Sequence, residues 1–163
     1  MPGLRSEPYR GDSFDYSLDF ETTDFRAHPE LYRIGRGEQG VISVEPYKSE
    51  ILPVWQFKTP EIADESSSAI LAKFLAYRDA GDGAGMDMAS MFLQMGWTRA
   101  RRYANHRGGR KYDSVTGEQL PYELDPVKAE AAAIFKRRYE QAKSDPVYQS
   151  WLVEQRAREK SAH

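Results

Sequence analysis

From Phe14 onward apolar and polar positions alternate, with Phe14, Tyr16, Leu18 and Phe20 set against Asp15, Ser17, Asp19 and Glu21. A two-residue period belongs to an extended segment with one buried face, so this piece reads as strand-like, or as extended coil packed on helices. Residues 1–13 before it are polar, rich in Pro, Gly and charge, and aperiodic, which predicts a flexible arm. After it, His28-Pro29-Glu30-Leu31-Tyr32-Arg33 allows a short helical turn that Gly35, Gly37 and Gly40 break. Val41-Ile42-Ser43-Val44 then reads as a strand. Glu45-Pro46 opens a short turn or helix that Pro53 ends, and Val54-Trp55-Gln56-Phe57 predicts a brief second strand.

Beyond Thr59 the period becomes helical. Thr59-Pro60-Glu61 is a helix start, with Thr as the cap, Pro in the first turn and an acid beside it. Ile62, Ala69, Ile70, Phe74 and Tyr77 carry that helix to about residue 78, with Ser66, Ser67 and Ser68 weakening its middle. Residues 79–85 read as a break. A helix over residues 86–106 follows, with Met88, Phe92, Met95, Arg99, Arg102 and His106 on one stripe, apolar in front and cationic behind. Gly108-Gly109 stops it. Asp125-Pro126 and Asp145-Pro146 repeat the cap-plus-proline start and predict helices over 127–143 and 147–158, the last fraying beyond Leu152. The pattern predicts an α+β fold, predominantly helical, with about four main helices and a small two-stranded β element near residues 41–58. The expected organisation is an arm over 1–13, a single globular domain over 14–152 and a fraying tail over 153–163.

Composition narrows the function classes. A chain of 163 residues with 40% hydrophobic and 29% charged positions suits one folded core. With no cysteine there are no disulfides or thiolate metal sites. No apolar run has the length of a signal or a membrane span, so the expectation is a cytoplasmic protein without membrane contact. His28, His106 and His163 do not pair at metal-ligand spacing, and no cofactor fingerprint occurs, so neither metal nor cofactor is expected. The net charge of −2 hides segregation: residues 1–30 hold 3 basic and 7 acidic side chains, whereas residues 99–111 hold 6 basic and none acidic.

That basic run carries the main candidate site. Arg99, Arg101, Arg102, Arg107, Arg110 and Lys111, with Tyr103 and His106, surround a glycine pair. Guanidinium forks match phosphate oxygens, the glycines let backbone amides approach the same anion, and Trp97, Tyr103 or Tyr112 offers a face for a base. The plainer alternative is a helix end whose Arg and His offset the dipole while their stems cover the core edge. Arg36, Glu38 and Gln39, interleaved with glycines, form one possible wall of a second site, or else a solvated tight turn. Glu45 and Lys48, followed by Trp55, Phe57 and Lys58, form another, with a surface ion pair as the alternative. Met86, Met88, Met91 and Met95 read as core filling or as an adaptable binding face.

Phe14-Asp15-Tyr16, residues 32–41, residues 44–53, Phe57-Lys58-Thr59-Pro60-Glu61-Ile62 and residues 85–89 through Thr98-Arg99-Ala100-Arg101-Arg102-Tyr103-Ala104-Asn105 together resemble a family of small proteins from bacteria, bacteriophages and some eukaryotes, defined as a domain of unknown function. The resemblance runs over about residues 14–113. It implies that the basic helix end belongs to a shared design, that the arm and the C-terminal helices are more individual, and no activity or site residue. The sequence thus leads to a nucleic-acid-binding accessory protein that grips backbone phosphates. One rival is a small enzyme acting on a nucleotide or phosphorylated metabolite, with Arg36, Lys48, Arg102 and His106 around it and Glu38 or Glu45 as acid-base group. The other is a module for a protein partner, using the methionine-bearing helix and the Trp151 helix.

Overall fold

A computed structural model of the protein describes residues 22–34, 43–105, 115–118 and 125–161. These build five α-helices, α1 (Tyr47–Ile51), α2 (Pro60–Asp79), α3 (Gly83–Asn105), α4 (Pro126–Lys143) and α5 (Pro146–Ser161), with 3-10 turns at Pro29–Leu31 and Leu52–Val54. No strand occurs among the described residues, so the fold is all-α and the expected α+β class with its two-stranded element is overturned. Val41, Ile42 and the alternating residues 14–20 lie outside the described residues. In the other half of the expected pair, Val54 closes a 3-10 turn and Trp55 is extended but unpaired. The physical reason is where the donors go: the Gln56 amide donates to Ser66 Oγ at 2.9 Å and Trp55 Nε1 donates to the Phe92 carbonyl at 3.0 Å. Apolar alternation here marks an extended strap lying on helices.

All three cap-plus-proline starts form as their residues dictate. Thr59 Oγ1 accepts from the Ile62 amide, Asp125 Oδ1 from Val127 and Lys128, and Asp145 Oδ1 from Val147 and Tyr148. Each such cap contributes about 1 kcal/mol. Helix α2 is unbroken through its serines because Ser66 and Ser67 are buried, Ser66 accepting the Gln56 amide and Ser67 donating to the Asp64 carbonyl. The interruption expected over 79–85 is narrower, since Asp82 Oδ1 accepts from the Gly85 amide and caps a helix that begins at Gly83.

Helices α2, α3 and α4 pack on one another around Ile70, Phe74, Met88, Phe92, Leu93 and Phe135, all fully buried. Burying each phenylalanine contributes about 2–3 kcal/mol. Gly96 sets the approach of α3 to α4, because a Cβ there would stand 2.3 Å from the Phe135 ring. Helix α5 continues beyond Leu152 to Ser161. Its last turns are held by Gln155 Nε2 donating to the Tyr32 carbonyl at 3.0 Å and by Glu159 Oε2 accepting from the Ile34 amide at 2.9 Å. Among the described residues no helix is long and apolar enough to cross a membrane.

Candidate functional site

At the C-terminal end of α3 the Asp125 amide donates to the Ala104 carbonyl at 2.7 Å, which brings the start of α4 against the end of α3. The strap from Trp55 to Lys58 runs alongside, with Trp55 packed edge-on against Phe92 and Phe57 edge-on against Phe135. These three pieces frame a cleft of about 270 Å³ lined by Gln56, Phe57, Lys58, Tyr103 and Lys128. Tyr103 is 41% exposed, its ring 6.2 Å from that of Phe57. Lys128 Nζ donates to the Lys58 carbonyl at 2.6 Å, so both lysines flank the aromatic pair.

Arg101 and Arg102, the two residues before Tyr103 in the last turn of α3, lie exposed and, like Lys58 and Lys128, have no carboxylate partner among the described residues. Asp125, at the start of α4, is occupied by the first amides of that helix. Such an arrangement sets a positive field around two aromatic rings. It suits a phosphate-bearing chain with flat bases.

The other sequence-derived candidates distribute as follows. Arg99 is half-buried with its guanidinium 5.1 Å over the Trp55 ring, an internal cation-π contact. Trp97 is stacked on Tyr139 with Lys136 over it, leaving Tyr103 as the candidate ring open to a base among the described residues, which do not include Tyr112. Met86, Met88 and Met95 are buried in the core. Glu45 accepts from both the amide and the hydroxyl of Ser49, at 2.8 and 2.7 Å, and so fastens the first turn of α1. Lys48 follows Tyr47, whose hydroxyl reaches Asp82 at the start of α3, about 30 Å of helix from Tyr103. The structure therefore does not bring Glu45 and Lys48 to Arg102. Arg36, Glu38, Gln39, His106, Arg107, Arg110 and Lys111 lie outside the described residues. Lys128 escaped sequence reasoning, because nothing in Asp125-Pro126 says which helix end α4 starts against.

Two polar clusters at the opposite end of α3 also gave no sequence signal. Arg26 grips Glu50 bidentately at 2.7 and 2.8 Å and reaches Asp82 at 3.2 Å, while Tyr77 donates to Glu50 and Tyr47 to Asp82, each at 2.7 Å. The hydrogen bonds from Arg26 hold Glu50 below the usual carboxylate range, and burial, then the carboxylates, push Tyr47 and Tyr77 well up. Deeper in, the fully buried Asp87 accepts from the hydroxyls of Tyr32 and, at 2.6 Å, Tyr148. Burial raises Asp87 against the opposing pull of those two hydroxyls. No group of three or more His, Cys, Asp or Glu side chains placed to hold a metal occurs among the described residues.

Neither the curated proteins nor the solved structures yield a match to this chain. A family model does, over residues 15–158, which extends the shared region beyond the basic helix end to include α4 and most of α5, helices the sequence had suggested were individual. With most of its length covered, the chain belongs to DUF4385, a family defined as a domain of unknown function.

Proposed function

We propose that this protein binds nucleic acid as an accessory protein, laying a strand across the C-terminal end of α3. The observation that carries this reading is the cleft in which the exposed Tyr103 and the half-buried Phe57 stand between Lys58 and Lys128, with Arg101 and Arg102 exposed in the same last turn of α3, and no carboxylate partner for any of the four cations among the described residues. Basic groups without a carboxylate partner among the described residues are suited to replace the counterions of a phosphate backbone. An exposed ring among them supplies a stacking face that every base can use. Arg107, Arg110 and Lys111 continue the basic run in sequence.

The test is a titration of the full chain with labelled single-stranded oligonucleotides across a salt series. If four cations each neutralise one phosphate, the slope of log affinity against log salt is roughly −3. Alanine at both Arg101 and Arg102 flattens that slope by roughly 1.4 while the fold stays intact. Absence of binding at low salt, or binding whose strength is the same at all salts, refutes the proposal.

A further inference from the structure

A second cavity, of about 390 Å³, lies at the other end of α3, between the Pro29–Leu31 turn, the start of α3 and helix α5. Its volume falls in the range of small-molecule sites. Arg33 and Glu159 both line it, and neither pairs with an opposite charge among the described residues. Arg33 is half-buried, donates among the described residues only to the carbonyls of Glu30 and Tyr32 at 3.0 and 3.1 Å, and has its Nε buried without a partner there. Glu159 is 9% exposed and receives only neutral donors, the Ile34 amide and Gln155 Nε2, both at 2.9 Å and both on Oε2. Its Oε1 accepts from no donor among the described residues.

A half-buried cation and a buried carboxylate to which the described residues offer no opposite charge, in one cavity, are costly unless something joins them. Their spacing is short, since Arg33 precedes Ile34, whose amide is already bonded to Glu159. The same cavity has an aromatic wall. Trp151 is stacked on Tyr148, and Gly83 lies over the face of its indole, where a Cβ would stand 1.8 Å from Nε1 and 2.3 Å from Cδ1 and Cε2. That Nε1–H donates to no acceptor among the described residues.

We infer that this cavity binds a small zwitterion of the free amino acid class. The ligand carboxylate faces Arg33 and the indole N–H, its ammonium faces Glu159 Oε1, and an apolar or aromatic side chain lies along Trp151. Arg158 and Glu30 also line the cavity but are engaged, Arg158 by Gln155 Oε1 at 2.7 Å and Glu30 by His28 at 3.3 Å, so a plain anion would leave Glu159 unanswered and a plain cation would leave Arg33 so. The site is separate from the basic cleft, and the inference stands or falls independently of the nucleic-acid proposal.

The experiment is a thermal-shift screen of the full chain against free amino acids, with calorimetric titration of any that act. An apolar or aromatic amino acid is expected to raise Tm by roughly 5 °C when present at about a hundredfold over its Kd. Its N-acetyl and C-amide derivatives, each lacking one charge, are expected to lose the effect. Arg33→Gln and Glu159→Gln should each weaken binding by about tenfold or more, as loss of a hydrogen bond to a charged group does. Should either variant fail to fold, the derivatives tested on the unmodified chain decide the matter. No shift with any amino acid at about 10 mM, where even weak sites fill, overturns the inference. So does a hit whose N-acetyl or amide form binds equally well.

Discussion

At the amino end of α3, Arg26, Tyr47 and Tyr77 are all engaged by Glu50 and Asp82, whereas at its carboxyl end Lys58, Arg101, Arg102 and Lys128 have no carboxylate partner among the described residues. Both ends combine cations with aromatic rings, so residue type does not separate them. Pairing does. Where acid and base meet inside a shell of tyrosines, their fields cancel locally and the contacts serve to fix α1 and the Pro29–Leu31 region against α3. Where cations stand around an exposed ring without acids, the field extends into solvent and is there for an anion to use. With the proposed function, the contrast gives stability to one end and recognition to the other, and it makes each end testable by what leaves the other unchanged.

The largest effect belongs to Asp87→Ala. Its carboxylate is the acceptor for two buried hydroxyls, those of Tyr32 and Tyr148. Its loss strands both in an apolar interior and opens a small void, so unfolding free energy should fall by about 3–5 kcal/mol. Urea denaturation measures this. A loss below about 1 kcal/mol would mean that the hydroxyls are satisfied elsewhere. Oligonucleotide affinity of the protein that remains folded should stay as it was.

Tyr103→Ala is expected to do the reverse. Stacking of one base on an aromatic ring is worth about 1–3 kcal/mol, so oligonucleotide affinity should drop by at least several-fold while Tyr103→Phe keeps it. Because the ring is 41% exposed, stability should change little. An unchanged affinity would remove Tyr103 from the interface. Its counterpart, Tyr77→Phe, deletes only the hydroxyl that donates to Glu50 at 2.7 Å. Stability should fall by about 0.5–1.5 kcal/mol with binding intact. If both tyrosines affected both readouts alike, the division between the ends of α3 would be untenable.

How far the chain announces this depends on the range of each interaction. Helix starts are written in neighbouring residues, and Thr59-Pro60, Asp125-Pro126 and Asp145-Pro146 cap their helices through bonds two or three residues long. The run from Arg99 to Arg102 was visible for the same reason, being local in sequence. Trp55 and Phe57 misled because a period of two describes any extended segment with one buried face, whether its donors meet a strand or, as here, a serine hydroxyl and a helix carbonyl. Asp87 was unreadable between two methionines, since its partners lie 55 and 61 residues away. Arg26 likewise meets Glu50 and Asp82 only through the tertiary fold.

The smallest expected effect, and the one that most directly probes the ionic character of the amino end, is the pH dependence of Glu50→Gln. Hydrogen bonds from Arg26 lower the Glu50 pKa in the folded protein. A carboxylate so depressed binds its proton less readily folded than unfolded, so its contribution is present above the ordinary carboxylate range and is lost as pH falls through the lowered value. The side chains of Arg26 and Glu50 are 44% and 36% exposed, and solvent screens the pair. The difference between wild type and variant at pH 7 should therefore not exceed about 1 kcal/mol. It should vanish at a pH acid enough to protonate Glu50, below the ordinary carboxylate range. Asp145 behaves in the same sense, since burial raises it but Arg78 and two backbone amides outweigh that, so part of the acid-side loss survives in the variant. Asp87, raised by burial, acts in the opposite sense and favours the folded state as it takes up its proton. Denaturation midpoints of both proteins at the two pH values give the answer: a gap that persists undiminished in acid would show that Glu50 acts through packing, and the amino end would then owe its rigidity to shape more than to charge.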